Sequence, residues 1–570
     1  MAFSELLERA GGIGRFHVLQ TVTILFVIIL LPSHMLLENF SAAVPNHRCR
    51  APLLDNSTAQ ASVPGALGPE ALLEVSIPPS PDQRPHRCLR FRHPQWQLLG
   101  PNASATNWSE AATEPCMDGW VYDRSTFTST TVTEWDLVCS SQALKPMAQS
   151  IYLAGVLVGY AVWGLLSSRL GRKLILSWCC LQVAVASTGV SFAPNFLVYC
   201  GLRFVSAVAV AGISLVSSVL LVEWTTTGRR AVTMAVQGCC YSTGQMTTAG
   251  LAFALRDWRS LQMAVSVPYF ACFLASWWLP ESARWLIITG KPDQGLRELR
   301  KVARINGHKE AKKTLTIEVL ASSMEEELAT AKTQQSVLDL FRVPVLRWRT
   351  YSLLVVSFVQ FMSYYGLVLD LQSLGRDIFL LQVLFGAVDF VGRFFVPLGL
   401  RCFGRRKAIA SALFLSGVSI LANVLVPEDL QTLRVAFAVL GKGGFAINFT
   451  CYSVYLSEVF PTSLRVTANG LLHSVGRAGA VLGPLIRLTG QTLPLLPSLI
   501  YGILPITSGF IVLLFLPETQ GLPLPDTIQD MENQWKTEAQ GREVTSSRSH
   551  RSGPAWGHRR EVVITESTWL

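Results

Sequence analysis

The same short motifs occur twice along this chain, in one order and at nearly one spacing. Gly171-Arg172-Lys173 recurs 233 positions later as Gly404-Arg405-Arg406, and Arg203 recurs 231 positions later as Arg434. Glu223 recurs as Glu458 at an offset of 235, and Leu279-Pro280-Glu281-Ser282 as Leu516-Pro517-Glu518-Thr519 at 237. Each motif sits at the end of an apolar run, so the duplicated unit is a set of membrane helices. Parallel repeats of that kind build a pathway between two halves.

Composition agrees. Half of the 570 residues are hydrophobic and 15% are charged, where a soluble chain carries about a quarter charged residues. Apolar runs lie at 15–37, 146–167, 174–193, 196–222, 231–254 and 261–279. A second set lies at 350–370, 378–400, 408–426, 434–457, 466–488 and 495–516. A bilayer core about 30 Å thick needs about 20 helical residues. The expected fold is an all-α membrane protein of twelve transmembrane helices, arranged as two six-helix repeats. The first run has no small-residue cleavage site and follows Glu5 and Glu8, so it reads as an uncleaved helix rather than a signal peptide.

The net charge of +10 is not spread over a face. It clusters beside the runs, at 169–173, 401–407 and 284–313, which marks those segments as cytoplasmic. A nucleic-acid surface would need a contiguous basic face. No Gly-x-Ser-x-Gly, phosphate loop or zinc spacing occurs, so neither an enzyme, a cofactor nor a metal is expected. A channel would want rings of like residues, which a single asymmetric chain does not supply.

The domains follow from the polar interruptions. A first six-helix half covers 1–283, a cytoplasmic helical loop 284–347, a second half 348–520 and a disordered cytoplasmic tail 521–570. Within the first half, 41–140 carries sequons at Asn56, Asn102 and Asn107 and the cysteines Cys49, Cys88, Cys116 and Cys139. Sequons beside an even cysteine set fit an oxidising, glycosylated exterior. Four cysteines allow three disulfide pairings, and the sequence does not choose among them. The chain ends in Thr568-Trp569-Leu570, a pattern that a PDZ-domain scaffold takes as an added strand. Both termini then lie in the cytoplasm.

The repeated motifs place Arg169, Arg172, Arg405 and Arg406 where helices meet the cytoplasm, with Glu223 and Glu458 on neighbouring helices. Such cations can bond helix C-terminal carbonyls or pair with the two acids, forming a gate that releases when the halves rock. The plainer reading is that they only set topology.

Gly164…Gly171-Arg172-Lys173, Pro280-Glu281-Ser282-Ala283-Arg284 and Pro517-Glu518-Thr519 resemble the sugar-porter type of the major facilitator superfamily. The long cysteine-bearing loop, Glu38-Asn39-Phe40, Asp118-Gly119-Trp120 and Leu524-Pro525-Asp526-Thr527 narrow the likeness to solute carrier family 22, organic anion transporter branch. The likeness spans all but about the last thirty residues. One departure stands out: Ser168 occupies a position where the superfamily motif usually has Asp.

Charges inside a bilayer cost about 2.5–3.5 kcal/mol on insertion scales, so they face a cavity. Arg477 lies among small residues with no acid on its own helix, and its fork suits a carboxylate or sulfate. Arg393 follows Asp389 by four positions, so a structural pair is the rival reading. Lys442 reads as a helix contact. Tyr241, Tyr364, Tyr365, Tyr152 and Phe449 fall in different spans and offer rings to a hydrophobic anion. His34, Gln245, Gln360 and His473 are candidate polar liners, His34 equally a packed histidine. The resemblance implies that Tyr241, Tyr364, Tyr365, Phe449, Arg393 and Arg477 line the central cavity. It also implies that cation-carrying members hold an acid where Arg477 stands.

The expected function is a plasma-membrane carrier, in an apical epithelial setting, that moves organic anions by alternating access. The resemblance implies amphipathic carboxylates, sulfated steroids and urate as cargo, exchanged for dicarboxylates. The alternative is an organic cation or zwitterion carrier of the same fold, which would need an acidic cavity; Asp389 and Asp370 are the nearby acids.

Overall fold

A bilayer offers no water to backbone N–H and C=O groups, so spanning segments must close their hydrogen bonds internally as helices. The computed structural model shows this outcome. It describes residues 2–520 apart from 13, 57–67, 81–83, 100–111, 227–228, 308–314, 333–336, 376 and 428. The sequons at Asn102 and Asn107, the tail and Thr568-Trp569-Leu570 lie outside the described residues.

The first half contains α1 (Ala2–Arg9), α2 (Arg15–Leu36), α3 (Leu144–Leu170), α4 (Arg172–Val190), α5 (Phe196–Glu223) and α6 (Arg230–Ala254). Its last span is divided into α7 (Trp258–Ser266) and α8 (Pro268–Ser276), where Pro268 removes a backbone donor. Three amphipathic helices follow, α9 (Ala283–Ile288), α10 (Pro292–Ile305) and α11 (Ile317–Lys332). The second half comprises α12 (Pro344–Val368), α13 (Ile378–Cys402), α14 (Arg405–Leu425), α15 (Gln431–Val459), α16 (Thr462–Ile486) and α17 (Leu496–Phe515).

Among the described residues nine helices are long and apolar enough to cross a membrane. The remaining expected spans are α6, α16 and the divided α7–α8. Two of these are polar for a reason: α6 packs on α13 and α16 on α3, so both lie where the halves meet. Gln245 of α6 and Arg477 of α16 each bond a side chain of the other half, Asp389 and Tyr160. The protein is an all-α membrane protein.

Between α2 and α3 two small antiparallel sheets form. β1 (His47–Cys49) pairs with β4 (Trp120–Tyr122), and β2 (Leu89–Phe91) with β3 (Thr113–Pro115). The disulfides are Cys49–Cys116 and Cys88–Cys139, the second tying the loop to the foot of α3. On this loop side the halves bond to one another. Asn39 Nδ2 donates to the Val368 carbonyl at 2.9 Å, and Gln149 Nε2 to Leu369 at 3.1 Å. The Gln372 amide exchanges two bonds with the Val44 backbone, at 2.9 and 3.2 Å.

On the opposite, motif side the duplication repeats atom by atom. The Glu281 carboxylate accepts the first N–H groups of α4, from Arg172 (2.9 Å) and Lys173 (3.2 Å). Glu518 does the same for α14, from Arg405 (2.8 Å) and Arg406 (3.3 Å). These N–H groups have no partner inside their helix, and an anion there also meets the positive end of the helix dipole. Arg172 then grips Glu223 at 3.0 and 3.2 Å and donates to the Ser167 carbonyl at 2.9 Å. Arg405 pairs with Glu458 at 3.2 Å and donates to Leu400 at 2.9 Å.

This corrects the gate reading in three ways. Both described ion pairs of these motifs lie within one half, so they brace each bundle instead of bolting the two together. Arg169 is exposed and outside the cluster, and the Arg406 side chain bonds the Leu516 carbonyl, not an acid. Ser168, standing where Asp is usual, turns its hydroxyl back to Leu165 and offers its carbonyl to Trp285 Nε1 at 2.7 Å. Glu281 and Glu518, which the sequence left without a role, complete the brace.

Glycine begins both motifs because a Cβ at Gly171 or Gly404 would collide with the Glu281 or Glu518 carboxylate. Gly171 also sits at φ 102°, a conformation that costs other residues about 1–3 kcal/mol. Gly171→Ala is therefore expected to lower the thermal midpoint of the purified protein and its surface amount. Gly201→Ala, on α5 with nothing near the added methyl, is expected to change neither; equal behaviour of the two variants would refute the capping account.

Candidate functional site

Helical spacing stacks side chains four apart on one face. On α12 this puts Gln360 with Tyr364, and Phe361 with Tyr365; on α13, Asp389 with Arg393. These faces turn toward α15, α16 and, across the seam, toward α3 and α6.

Arg477 on α16 is the centre of one cluster. Its two terminal nitrogens donate to the hydroxyls of Tyr365 and of Tyr160, each at 3.1 Å. Its guanidinium carbon also lies 4.6 Å from the Tyr160 ring and 5.1 Å from Phe361, within the range of cation–π attraction. Tyr160 belongs to α3, so Arg477 bridges the halves. The small neighbours of Arg477 have a different task from leaving it room: Gly479 lets α16 lie against the α12 backbone at Phe358.

Aromatic rings continue from this cation in edge-to-face contacts. Phe361 meets Phe449 at 4.9 Å, Phe449 meets Tyr364 at 5.1 Å, and Tyr364 meets Tyr365 at 5.2 Å. His473 is exposed and 6.4 Å from Phe361. Asn448 donates to Gln360 at 2.6 Å, both buried.

A second polar cluster holds the buried acid. Asp389 is bonded to Lys442 Nζ at 2.5 and 2.6 Å, with Lys442 fully buried. Gln245 on α6 donates to the same carboxylate at 2.8 Å, a second link across the seam. Lys442 also lies 4.7 Å from the Tyr364 ring. Thus Asp389 is not the partner of Arg393: an ammonium from α15 fills the carboxylate, and Lys442 is an ion-pair partner, not a bare helix contact. Arg393 turns instead toward Tyr241, 5.8 Å from its ring, with a buried Nε that has no hydrogen-bond partner. No described carboxylate pairs with Arg393 or Arg477.

Two expected liners lie elsewhere. His34 is buried inside the first bundle, its ring 5.1 Å from Tyr269 and its Nδ1 3.4 Å from Ser187. Tyr152 packs under Arg203, 4.2 Å from its guanidinium, and Arg203 pairs with Glu38 at 3.0 Å. Both serve the core of the first half. The sequence reading missed Tyr160 and Phe361. Helical spacing pointed to each, since Phe361 stands one turn before Tyr365 and Tyr160 two turns after Tyr152.

A buried pair tolerates loss of both charges better than loss of one, which costs about 3–5 kcal/mol. Lys442→Met alone is expected to lower the thermal midpoint sharply, as is Asp389→Leu alone. The double variant should lie closer to the parent than either single. Additive losses would show that the two charges do not depend on one another.

The Sugar (and other) transporter family matches residues 103–530. Human "Solute carrier family 22 member 11" is 64% identical over 570 residues, covering 100% of both chains. Human "Solute carrier family 22 member 12" is 57% identical over 534 residues, covering 94% of this chain and 96% of its own. The human "Steroid transmembrane transporter SLC22A24" is 47% identical, covering 94% and 97%. Among solved structures, the inward-open xylose transporter XylE from E. coli aligns with TM-score 0.53 at 17% identity, covering 68% of this chain and 88% of its own; that likeness concerns the fold. Six-helix halves, the duplicated braces and these relatives together make the chain a transporter of the major facilitator superfamily and a member of solute carrier family 22.

Proposed function

We propose that the protein carries amphipathic organic anions across the plasma membrane by alternating access, the site between the halves facing each side in turn. The observation that carries this reading is the charge left over. Asp389 is held by Lys442 at 2.5 Å and Asp370 lies 3.5 Å from Arg487, while no described acid pairs with Arg477 or Arg393. An anion 5 Å from one such cation gains about 3 kcal/mol at an effective dielectric of 20, and a cation loses as much. This argues against the organic cation or zwitterion alternative. The fork of Arg477 suits a carboxylate or sulfate, and the rings of Tyr364, Tyr365, Phe361 and Phe449 suit an apolar body. A relative's description as a steroid transporter supports sulfated steroids as cargo, with urate a further candidate.

The leftover charge also favours exchange. An empty site holding two unpaired guanidinium groups is costly to seal from water, so one anion, such as a dicarboxylate, leaves as another takes its place. The basic motif side is assigned to the cytoplasm and the disulfide-bearing loop side to the exterior, where Asn56, Asn102 and Asn107 would be glycosylated. Both termini are then cytoplasmic, with Thr568, Trp569 and Leu570 offered to a PDZ scaffold.

The decisive measurement is uptake of labelled estrone sulfate, urate and tetraethylammonium by expressing cells, with and without a preloaded dicarboxylate. Arg477→Asp is expected to remove anion uptake while surface expression persists. Anion uptake retained by that variant would overturn the site, and tetraethylammonium uptake by the parent would overturn the charge argument.

A further inference from the structure

Away from the central site, the loop between α2 and α3 forms an open cavity of about 540 Å³ whose walls include His47, Arg48, Arg84, Arg87, Tyr122 and Asp123. That is the size of cavities which hold drug-sized ligands. Its walls are built, not incidental. The β1–β4 ladder sets His47 opposite Tyr122, with ring centroids 5.8 Å apart. The Cys88–Cys139 disulfide fixes the residue after Arg87 to the foot of α3.

Its charges are not self-neutralising. Arg48 is held by both oxygens of Asp55, at 2.7 and 2.8 Å, so it contributes structure and little free charge. Burial, with Arg87 nearby, moves the His47 imidazole below its ordinary range, so it is neutral at physiological pH. Tyr122 gives its hydroxyl proton to Asp136 at 2.8 Å, which leaves its ring as an apolar wall. Arg84 and Arg87 are exposed, and no described carboxylate lies within ion-pair distance of either. The cavity therefore presents two guanidinium groups and the exposed Asp123 carboxylate, which accepts the Ser125 N–H at 2.9 Å, beside two rings, with cations in excess.

Its position links it to the pathway. Val44, two residues before Asn46, is the loop's point of attachment to Gln372 of the second half. The cavity thus stands beside the seam that must part for the central site to face this side.

We propose that this cavity is an outer docking site for small organic anions, which collects cargo at the mouth before it enters between the halves. The inference rests on the anion-carrier reading and on placing the loop outside the cell. A clefted cation pair raises the local concentration of anions and their rate of arrival, an effect that salt screens over about 8 Å at physiological ionic strength. The site therefore acts on the concentration dependence of uptake and not on turnover.

The test is initial-rate uptake of labelled estrone sulfate by intact cells expressing the full chain, with surface protein quantified. Arg84→Glu combined with Arg87→Glu is expected to raise the apparent KM at least threefold at unchanged maximal rate per surface molecule. Arg84→Lys with Arg87→Lys should restore most of the difference. Efflux from preloaded cells, which starts from the other side, should keep its concentration dependence. An unchanged KM in the charge-reversed variant overturns the proposal, as does a change confined to retention on heparin, which would assign the patch to a sulfated polymer. If charge reversal prevents surface delivery, Arg84→Gln with Arg87→Gln is read by the same criteria. Failure of the parent itself to take up estrone sulfate would count against the anion-carrier reading; a transporting parent with an indifferent variant would count against the docking site alone.

Discussion

The Asp389–Lys442 ion pair is the interaction on which the interior of this protein depends. In a medium of low dielectric a lone carboxylate on α13 would be expensive, and it would also seek the nearest cation. Arg393, one turn along the same helix, is the obvious partner. Lys442 reaches over from α15 and takes that role, with Gln245 adding a donor from the other half. Two consequences follow at once: α13 is fastened to α15, and Arg393 is released to face Tyr241. Without that fastening the polar interior of the second half would cancel internally and have little charge to offer a ligand.

The braces on the motif side serve a different end. Each joins the segment after one helix, the N-terminus of a second and the end of a third: Glu281, Arg172 and Glu223 in one half, Glu518, Arg405 and Glu458 in the other. Charge-assisted bonds of this kind hold three elements in one geometry. They make each half a stiff body at the end where the site would open. The seam on the loop side is made of weaker material, side-chain amides bonded to backbone carbonyls, which water can replace at little net cost. Strong ties within halves and, on the loop side, replaceable ties between them suit rocking of two rigid units.

Much of this was legible in the sequence, and the rest was hidden for identifiable reasons. The duplication, the spans and the presence of unpaired deep arginines follow from motif spacing and hydropathy. Partner choice does not, because i,i+4 reasoning sees one helix at a time. It kept Asp389 as a rival partner for Arg393, when the ammonium that fills that carboxylate stood 53 positions away. Tyr160 escaped for a similar reason, bonding to Arg477 from 317 positions off. The cap that Glu281 places on α4 from 109 residues downstream is likewise invisible until both are in space. Polar residues on α6 and α16 set these two spans apart from the nine most apolar helices, and the two helices lie where the halves meet. His34 and Tyr152 pack inside the first half, a placement the sequence leaves open because a buried polar residue in a span looks the same whether it faces a cavity or a neighbouring helix.

The loop between α2 and α3 holds both halves at once. The loop is covalently fixed to the first half through Cys139, yet Val44 is hydrogen-bonded to Gln372 of the second. It is therefore a strap over the joint, fastened permanently at one end and reversibly at the other. Whatever grips the strap favours one arrangement of the joint, and by linkage the state of the joint alters how well the strap is gripped. A molecule too large to pass between the halves could in this way hold them in one arrangement from the loop side alone.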